Sequence, residues 1–377
     1  MKNIFRYKRI YLLILIPVSL ALILLARQSS FFSEQIYAKH IYRWISQILS
    51  SITGLFPFSV AELLILLLPL VILVLLLRFV LRMILDKKDR GEKLVRGILN
   101  LFCSVSIILF LFTILAGLNY YRYPFTTYAN LEVTDSSVME LYALTENLML
   151  KANELRNQVV VTEHTGVFQL SVNDRKLAKL TKEAFELLSE DYPVLGGAYG
   201  APKPILISKL MSQTEITGIF FPFTMEANVN VDVPDYSIPV TMLHELAHLR
   251  GFMREDEANF IAYLAGMKSK HIDLQYSSTM LALVIAGNAL YDQSPELYFE
   301  IRDRYSDGVV KDLRDNSEYW LQYKDTVVST VSNKINDTYL KINDQTDGVK
   351  SYGRMLDLLL AKYRSEEPKQ MDQIAQP

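Results

Sequence analysis

The sequence predicts an α-helical membrane module followed by an α+β domain, and three observations carry that expectation. Three apolar stretches in the first 120 residues are long enough to cross a hydrocarbon core of about 30 Å, which takes roughly 20 helical residues. Short runs rich in Ile, Val and Phe between residues 204 and 233 are followed by little except helical periodicity, the order of an α+β domain rather than a doubly wound sheet. Charge divides along the same line: residues 1–120 hold 14 basic and 5 acidic side chains, a net +9, whereas residues 121–377 hold 25 and 36, a net −11. A basic apolar module ahead of an acidic, mixed one excludes a disordered chain and argues against nucleic acid as a partner.

The apolar stretches are Ile10–Ala26, Val60–Leu81 and Ile98–Leu118. Lys2, Arg6, Lys8 and Arg9 precede the first, and Ala26-Arg27-Gln28 lacks the small-x-small pattern of a cleavage site, so this stretch is expected to stay as an anchor. Lys87, Lys88, Arg90 and Lys93 stand between the second and third stretches. Positive charge collects on the cytoplasmic side. This predicts a multi-pass protein of the cytoplasmic membrane with its N-terminus and the 82–96 loop inside, and everything after about Tyr120 outside. The cluster Tyr120-Tyr121-Arg122-Tyr123 suits the aromatic belt of the outer interface. Cys103, the only cysteine, falls inside the third stretch, so the outer domain folds without disulfides.

From Gln35 to Ile52 one helical face carries Tyr37, Ile41, Trp44, Ile45, Ile48 and Ile52, and the other carries Lys39, Arg43, Ser46, Gln47 and Ser50. Such a helix either lies on the membrane surface or packs on the domain. Glu62 sits within a turn of the outer interface, where an acid reads as a local group rather than a transport element, and three spans without a polar face offer a transporter no path.

The domain is expected to span residues 121–377, with an α+β part to about residue 250 and a helical part over about 251–365. Helical spacing marks Ser136–Arg156 and Asp174–Glu190, and Gly196 to Pro202 forms a loop. Strands are expected at Pro204–Ser208, Ile219–Phe223 and Ala227–Val233. Pro239 opens a helix through Arg250, closed by Gly251. Further helices follow over Glu255–Met267, Ser277–Tyr291, Pro295–Tyr305, 307–340 and Tyr352–Tyr363, with a polar, frayed end after Glu366. Thr279–Leu290, too short to span, reads as a buried core segment.

The helix after Pro239 contains His244-Glu245-Leu246-Ala247-His248, an H-E-x-x-H pattern. Two histidines four residues apart lie one turn apart on the same face, so both imidazoles can reach one metal ion, while Glu245 is swung aside towards a water. A single zinc ion with an open position lowers the pKa of its water towards about 7, and Glu245 is the candidate general base. The third ligand has two candidates, Glu255 and Glu257, which point roughly 200° apart on the next helix. Glu255 shares its face with Ala258, Asn259 and Ala262, small side chains that allow close approach; Glu257 shares its face with Phe260, Ile261 and Leu264.

The H-E-x-x-H helix, followed by Glu255-Asp256-Glu257-Ala258-Asn259-Phe260-Ile261-Ala262, resembles the gluzincin superfamily of zinc metallopeptidases. Gly251 also fits the metzincin pattern, but Arg254 stands where that pattern needs a third histidine and cannot ligate. The run from Gly218 to Asn230, with Pro239 and the histidine motif, resembles an uncharacterised bacterial family of multi-pass membrane proteins with a zincin-like outer domain, with a weaker echo over 347–353. The gluzincin resemblance implies Glu255 as third ligand, with Asn259 standing where an Asp usually supports a ligand histidine. It also implies that Ala227-Asn228-Val229-Asn230 forms a sheet edge for an extended peptide, with Glu226 near the substrate amine. Tyr352, His271 and Tyr263 are candidates for stabilising the oxyanion.

These readings lead to a membrane-anchored zinc metallopeptidase acting outside the membrane on peptides, proteins or peptide cross-bridges of the wall. The alternative is a zinc-binding or degenerate sensor or scaffold, for which an intact Glu245 has no use. An intramembrane peptidase is disfavoured, because His244 lies more than 120 residues beyond the last span.

Overall fold

The computed structural model describes residues 8–343, 345 and 354–374, the side chains of 367–374 excepted. A 3-10 segment Lys8–Ile14 leads into α1 (Leu15–Gln28), followed by a π-wound segment Phe32–Tyr42, α2 (Arg43–Thr53), α3 (Val60–Leu85) and α4 (Arg90–Leu115). Lys8–Gln28, α3 and α4 are each long and apolar enough to cross a membrane. Four residues, 86–89, join α3 to α4, so most of the expected 82–96 loop is helical. Asp89 makes the reversal at φ 53, and Lys93 Nζ closes it with bonds to the carbonyls of Asp86 (3.0 Å) and Lys88 (2.7 Å). At the other end α4 stops at Leu115 rather than Leu118, because Gly117–Tyr121 winds as a tighter 3-10 turn buried against the domain. Ser106 of α4 donates to Leu12 O at 2.8 Å, and α3 meets α4 where Phe79 crosses Gly97.

In the domain, α5 (Thr126–Ala129), α6 (Val138–Arg156) and α7 (Asp174–Asp191) precede β1 (Lys203–Pro204), α8 (Ser208–Gln213), β2 (Gly218–Phe221) and β3 (Glu226–Val229). Seven helices follow: α9 (Ile238–Leu249), α10 (Glu255–Lys268), α11 (Ile272–Gln293), α12 (Pro295–Arg302), α13 (Asp307–Leu321), α14 (Val327–Ile342) and α15 (Met355–Ile374). A capping box of Ser137 and Glu140 opens α6. The expected 307–340 helix is two helices, since Asp325 turns at φ 58 and Thr326 caps α14 through the Ser329 N–H. The C-terminal helix runs on past Glu366 to Ile374, further than the frayed end expected there.

The sheet is small and mixed, in the order β1-β3-β2, with β1 parallel and β2 antiparallel to β3. The strands are shorter than their sequence patterns. After Ile205, whose N–H donates to Val229 O, the Glu62 carboxylate receives the N–H groups of Leu206 (3.2 Å) and Ile207 (2.8 Å) and turns the chain into α8. Buried side chains of α9, α10, α11, α6 and α15 form one core, and Tyr37, Tyr42, Leu115 and Leu118 belong to it. The division expected at residue 120 is therefore not a break in packing.

Candidate metal centre

Helix α9 is buried on every side except at His244, as its apolar composition requires. Pro239 lies in its first turn. Gly251 ends it at φ +87, where a Cβ would stand 2.9 Å from both Tyr42 and Arg122. The chain re-enters a helix at Glu255, and the three acids of that first turn, Glu255, Asp256 and Glu257, suit the positive end of the α10 dipole.

The turn between the two helices brings His244, His248 and Glu255 together, with one ligand atom from each within 4.8 Å of the others. Glu255 Oε2 lies 3.1 Å from His244 Nε2 and 3.6 Å from His248 Nε2, yet it makes no hydrogen bond with either. The far side of each ring is pinned. His244 Nδ1 is 2.7 Å from Asn259 Oδ1, and His248 Nδ1 is 2.7 Å from Phe252 O. Both partners are acceptors, so each Nδ1 carries the proton and each Nε2 turns its lone pair inward. A buried carboxylate oxygen without a donor, facing two imidazole lone pairs, fits a divalent metal of zinc's preferences.

The charges of the trio bear strongly on one another, so a proton competes with a metal ion for the inward Nε2 lone pairs. Burial favours the neutral form of Glu255, but the two histidines overcome it and hold the carboxyl well below its usual range. Burial likewise opposes charge on His248, and the Glu255 carboxylate outweighs it and pushes the imidazole up to about 9. Glu245 lies beside the trio, 4% exposed, with Oε2 unpartnered. Burial raises its pKa, opposed by His244 and His248 and, more weakly, by the Phe220 backbone N–H.

Among the described residues β2 has one partner strand, so its outer edge is unpaired, and this edge passes Glu245. A Cβ on Gly218 would fall 2.5 Å from Glu245 Oε1 and 2.8 Å from Thr241 Cγ2. The edge beside the histidines is thus β2, which corrects the expectation for residues 227–230. Strand β3 is central: Ala227 and Val229 are buried, Asn228 accepts from Ser59 Oγ at 2.6 Å, and the Asn230 side chain donates to Ser212 and Ile216. Glu226 is also engaged elsewhere. Its carboxylate receives Lys203 Nζ (2.5 Å) and the N–H groups of Val60 (3.0 Å) and Ala61 (2.7 Å), capping the start of α3.

Glu257 stays out of the trio and accepts from Phe125 N at 2.8 Å. His271 stands at the start of α11, 3.9 Å from Asp273, and Tyr263 is half-buried where Glu366 is its charged neighbour, so neither joins the trio. Tyr352 and the 347–353 run lie outside the described residues. Two neighbours of Glu255 carry no sequence signal. Gln345 Oε1 accepts from Glu255 N at 3.1 Å, and Tyr339, 3.0 Å from the Tyr120 hydroxyl, has its pKa raised by burial and by the Glu255 carboxylate.

The chain belongs to the family described as protein of unknown function DUF3810, whose pattern matches residues 37–360 and so takes in the trio, the sheet and two of the three long apolar helices. No curated protein and no solved structure matches it.

Proposed function

We propose that this protein is a membrane-anchored zinc metallopeptidase of zincin type, with its catalytic domain on the outer face of the cytoplasmic membrane. The observation that carries the reading is the placement of Glu245: a buried carboxylate with a free oxygen, set between a three-residue ligand group and an unpaired strand edge. A structural metal site has no need of such a group. His244, His248 and Glu255 would hold the ion, which supplies Lewis acidity towards a water and an amide carbonyl. Glu245 takes one proton from the attacking water and delivers it to the leaving nitrogen as the C–N bond breaks. The edge of β2 offers its backbone groups to an extended peptide, aligning a carbonyl beside Glu245.

The test uses the full chain in lipid nanodiscs, with metal content and cleavage of a peptide library measured together. Glu245→Gln is expected to keep the metal and lose at least about a thousandfold in turnover, in line with removal of a general base. Glu255→Ala is expected to lose both. Metal in the wild type with no cleavage of any peptide would favour the sensor or scaffold instead.

A further inference from the structure

Each spanning helix ends on the frame of the metal centre. Past α1, Tyr37 donates to Ile114 O in the last turn of α4 at 2.6 Å, and Tyr42 donates to Leu249 O at 3.2 Å, one residue beyond the ligand His248. Helix α3 starts against Glu226 and Asn228 of β3, the strand paired with the β2 edge. Phe112, near the end of α4, meets the Tyr339 ring edge-on at 6.2 Å, and the Tyr339 hydroxyl is 3.0 Å from that of Tyr120, whose carbonyl accepts from Arg254, the residue before Glu255, at 3.4 Å. The three helices stop at one surface of the hydrocarbon core; β3 meets the start of α3 and α14 the end of α4 directly, while α9 is reached through Tyr37 and Tyr42 in succession. The headgroup layer is about 5–8 Å thick, no more than a side chain's reach, which puts the trio at headgroup level.

Two apolar stripes extend that level. Helix α2 is pinned near the membrane boundary at both ends, by Tyr37 on one side and Ser59 on the other, so it runs along the boundary. Ser46 and Ser50 of α2 are buried, Ser50 Oγ receiving Gly200 N at 3.0 Å, while Ile41, Trp44, Ile48 and Ile52 are exposed, Trp44 by 65%. On α14, Val328, Val331, Ile335 and Ile342 share one face with Tyr339, and Ile335 is 65% exposed. The stripe therefore begins at the Phe112 contact and runs outward from a spanning helix. Contiguous exposed apolar faces of this kind mark an interaction surface, and continuity with α4 identifies it as lipid.

We infer that the metal centre works at the bilayer surface, on polypeptides themselves anchored in that bilayer, and cuts within the few residues that emerge from it. This rests on the peptidase reading. An extended chain advances about 3.3 Å per residue, so about two to three residues beyond a substrate's own span cross the headgroup layer to the β2 edge.

The experiment places the full chain in nanodiscs with a single-span substrate carrying one cleavable sequence behind spacers of 4, 12 and 30 residues, alongside the same sequence as a free peptide. Tethering alone dilutes the cleavable sequence as about the −3/2 power of spacer length, about twentyfold between 4 and 30 residues, so the expected preference for the shortest spacer over the longest is at least about a hundredfold, and a preference no greater than about twentyfold would overturn this inference. Equal rates at every spacer and for the free peptide would leave the peptidase standing and overturn this inference. No cleavage of any form would overturn the peptidase reading and this one with it. Independently of activity, Trp320→Phe leaves Trp44 as the only tryptophan. Its emission is expected to be quenched by lipids brominated high on the acyl chain, as is that of Ile335→Trp in the Trp44→Phe/Trp320→Phe background. Absence of quenching at both positions would remove the interfacial placement, whatever the cleavage assay reads.

Discussion

Asn259 shows how one side chain fixes the role of another. Its Oδ1 accepts from His244 Nδ1 at 2.7 Å, which holds the ring in the tautomer that turns Nε2 towards Glu255. An amide oxygen is a weaker acceptor than a carboxylate, so the support is real but modest. Asn259→Ala is expected to lower zinc affinity about 10- to 100-fold in chelator competition, and Asn259→Asp to match or exceed the wild type. Unchanged affinity in the alanine variant would show that the ring is held by packing alone. The histidines and Glu245 were legible in the sequence because helical geometry converts their spacing into one face. Glu226 was not. Its carboxylate is committed to Lys203 and to two N–H groups at the start of α3, partners 23 and about 165 residues away that no local pattern announces.

At the scale of elements, helices were read more surely than strands, and the reason is physical. Amphipathic periodicity over 15 to 18 residues, as in α7, α13 and α14, repeats often enough to mark a face. Strands of two to four residues hold at most two repeats, and which strand sits at the edge depends on long-range pairing. Here β1, only two residues long, pairs parallel to β3 and makes it central. The resulting edge, β2, has its own requirement at Gly218. Any side chain there collides with Glu245 Oε1 and with Thr241, so Gly218→Ala displaces either the strand or the carboxylate. Misplacing a catalytic group by about 1 Å costs on the order of a hundredfold in rate. Gly218→Ala is accordingly expected to lose about that much turnover while holding wild-type metal. A variant of full activity would place the reacting geometry away from β2.

The whole molecule joins its long apolar helices to the candidate metal centre through a buried ion pair. Glu34, just past α1, accepts from Arg122 Nε at 2.7 Å and from Nη2 at 3.0 Å, with the pair 0% and 5% exposed. Arg122 reaches further: its Nη1 donates to Arg250 O at 3.1 Å, and its guanidinium lies 4.2 Å from the centre of the Phe252 ring. Phe252 is the residue whose carbonyl orients His248, so the link from the segment after α1 to a candidate ligand runs through Glu34, Arg122 and Phe252. Removing one member of a buried pair strands the other charge and typically costs about 3–5 kcal/mol, whereas removing both for apolar groups of similar size is often near neutral. Glu34→Ala is therefore expected to lower the unfolding temperature markedly and to weaken metal retention, and Glu34→Ala/Arg122→Met to recover much of the stability. Recovery of stability without metal would assign Arg122 a separate part in positioning Phe252. The exposed pair Lys341–Asp337 is the control: its removal is expected to change stability by less than about 1 kcal/mol. If Glu34→Ala behaved like that surface pair, the spanning helices would serve the metal centre as a tether and not as part of its frame.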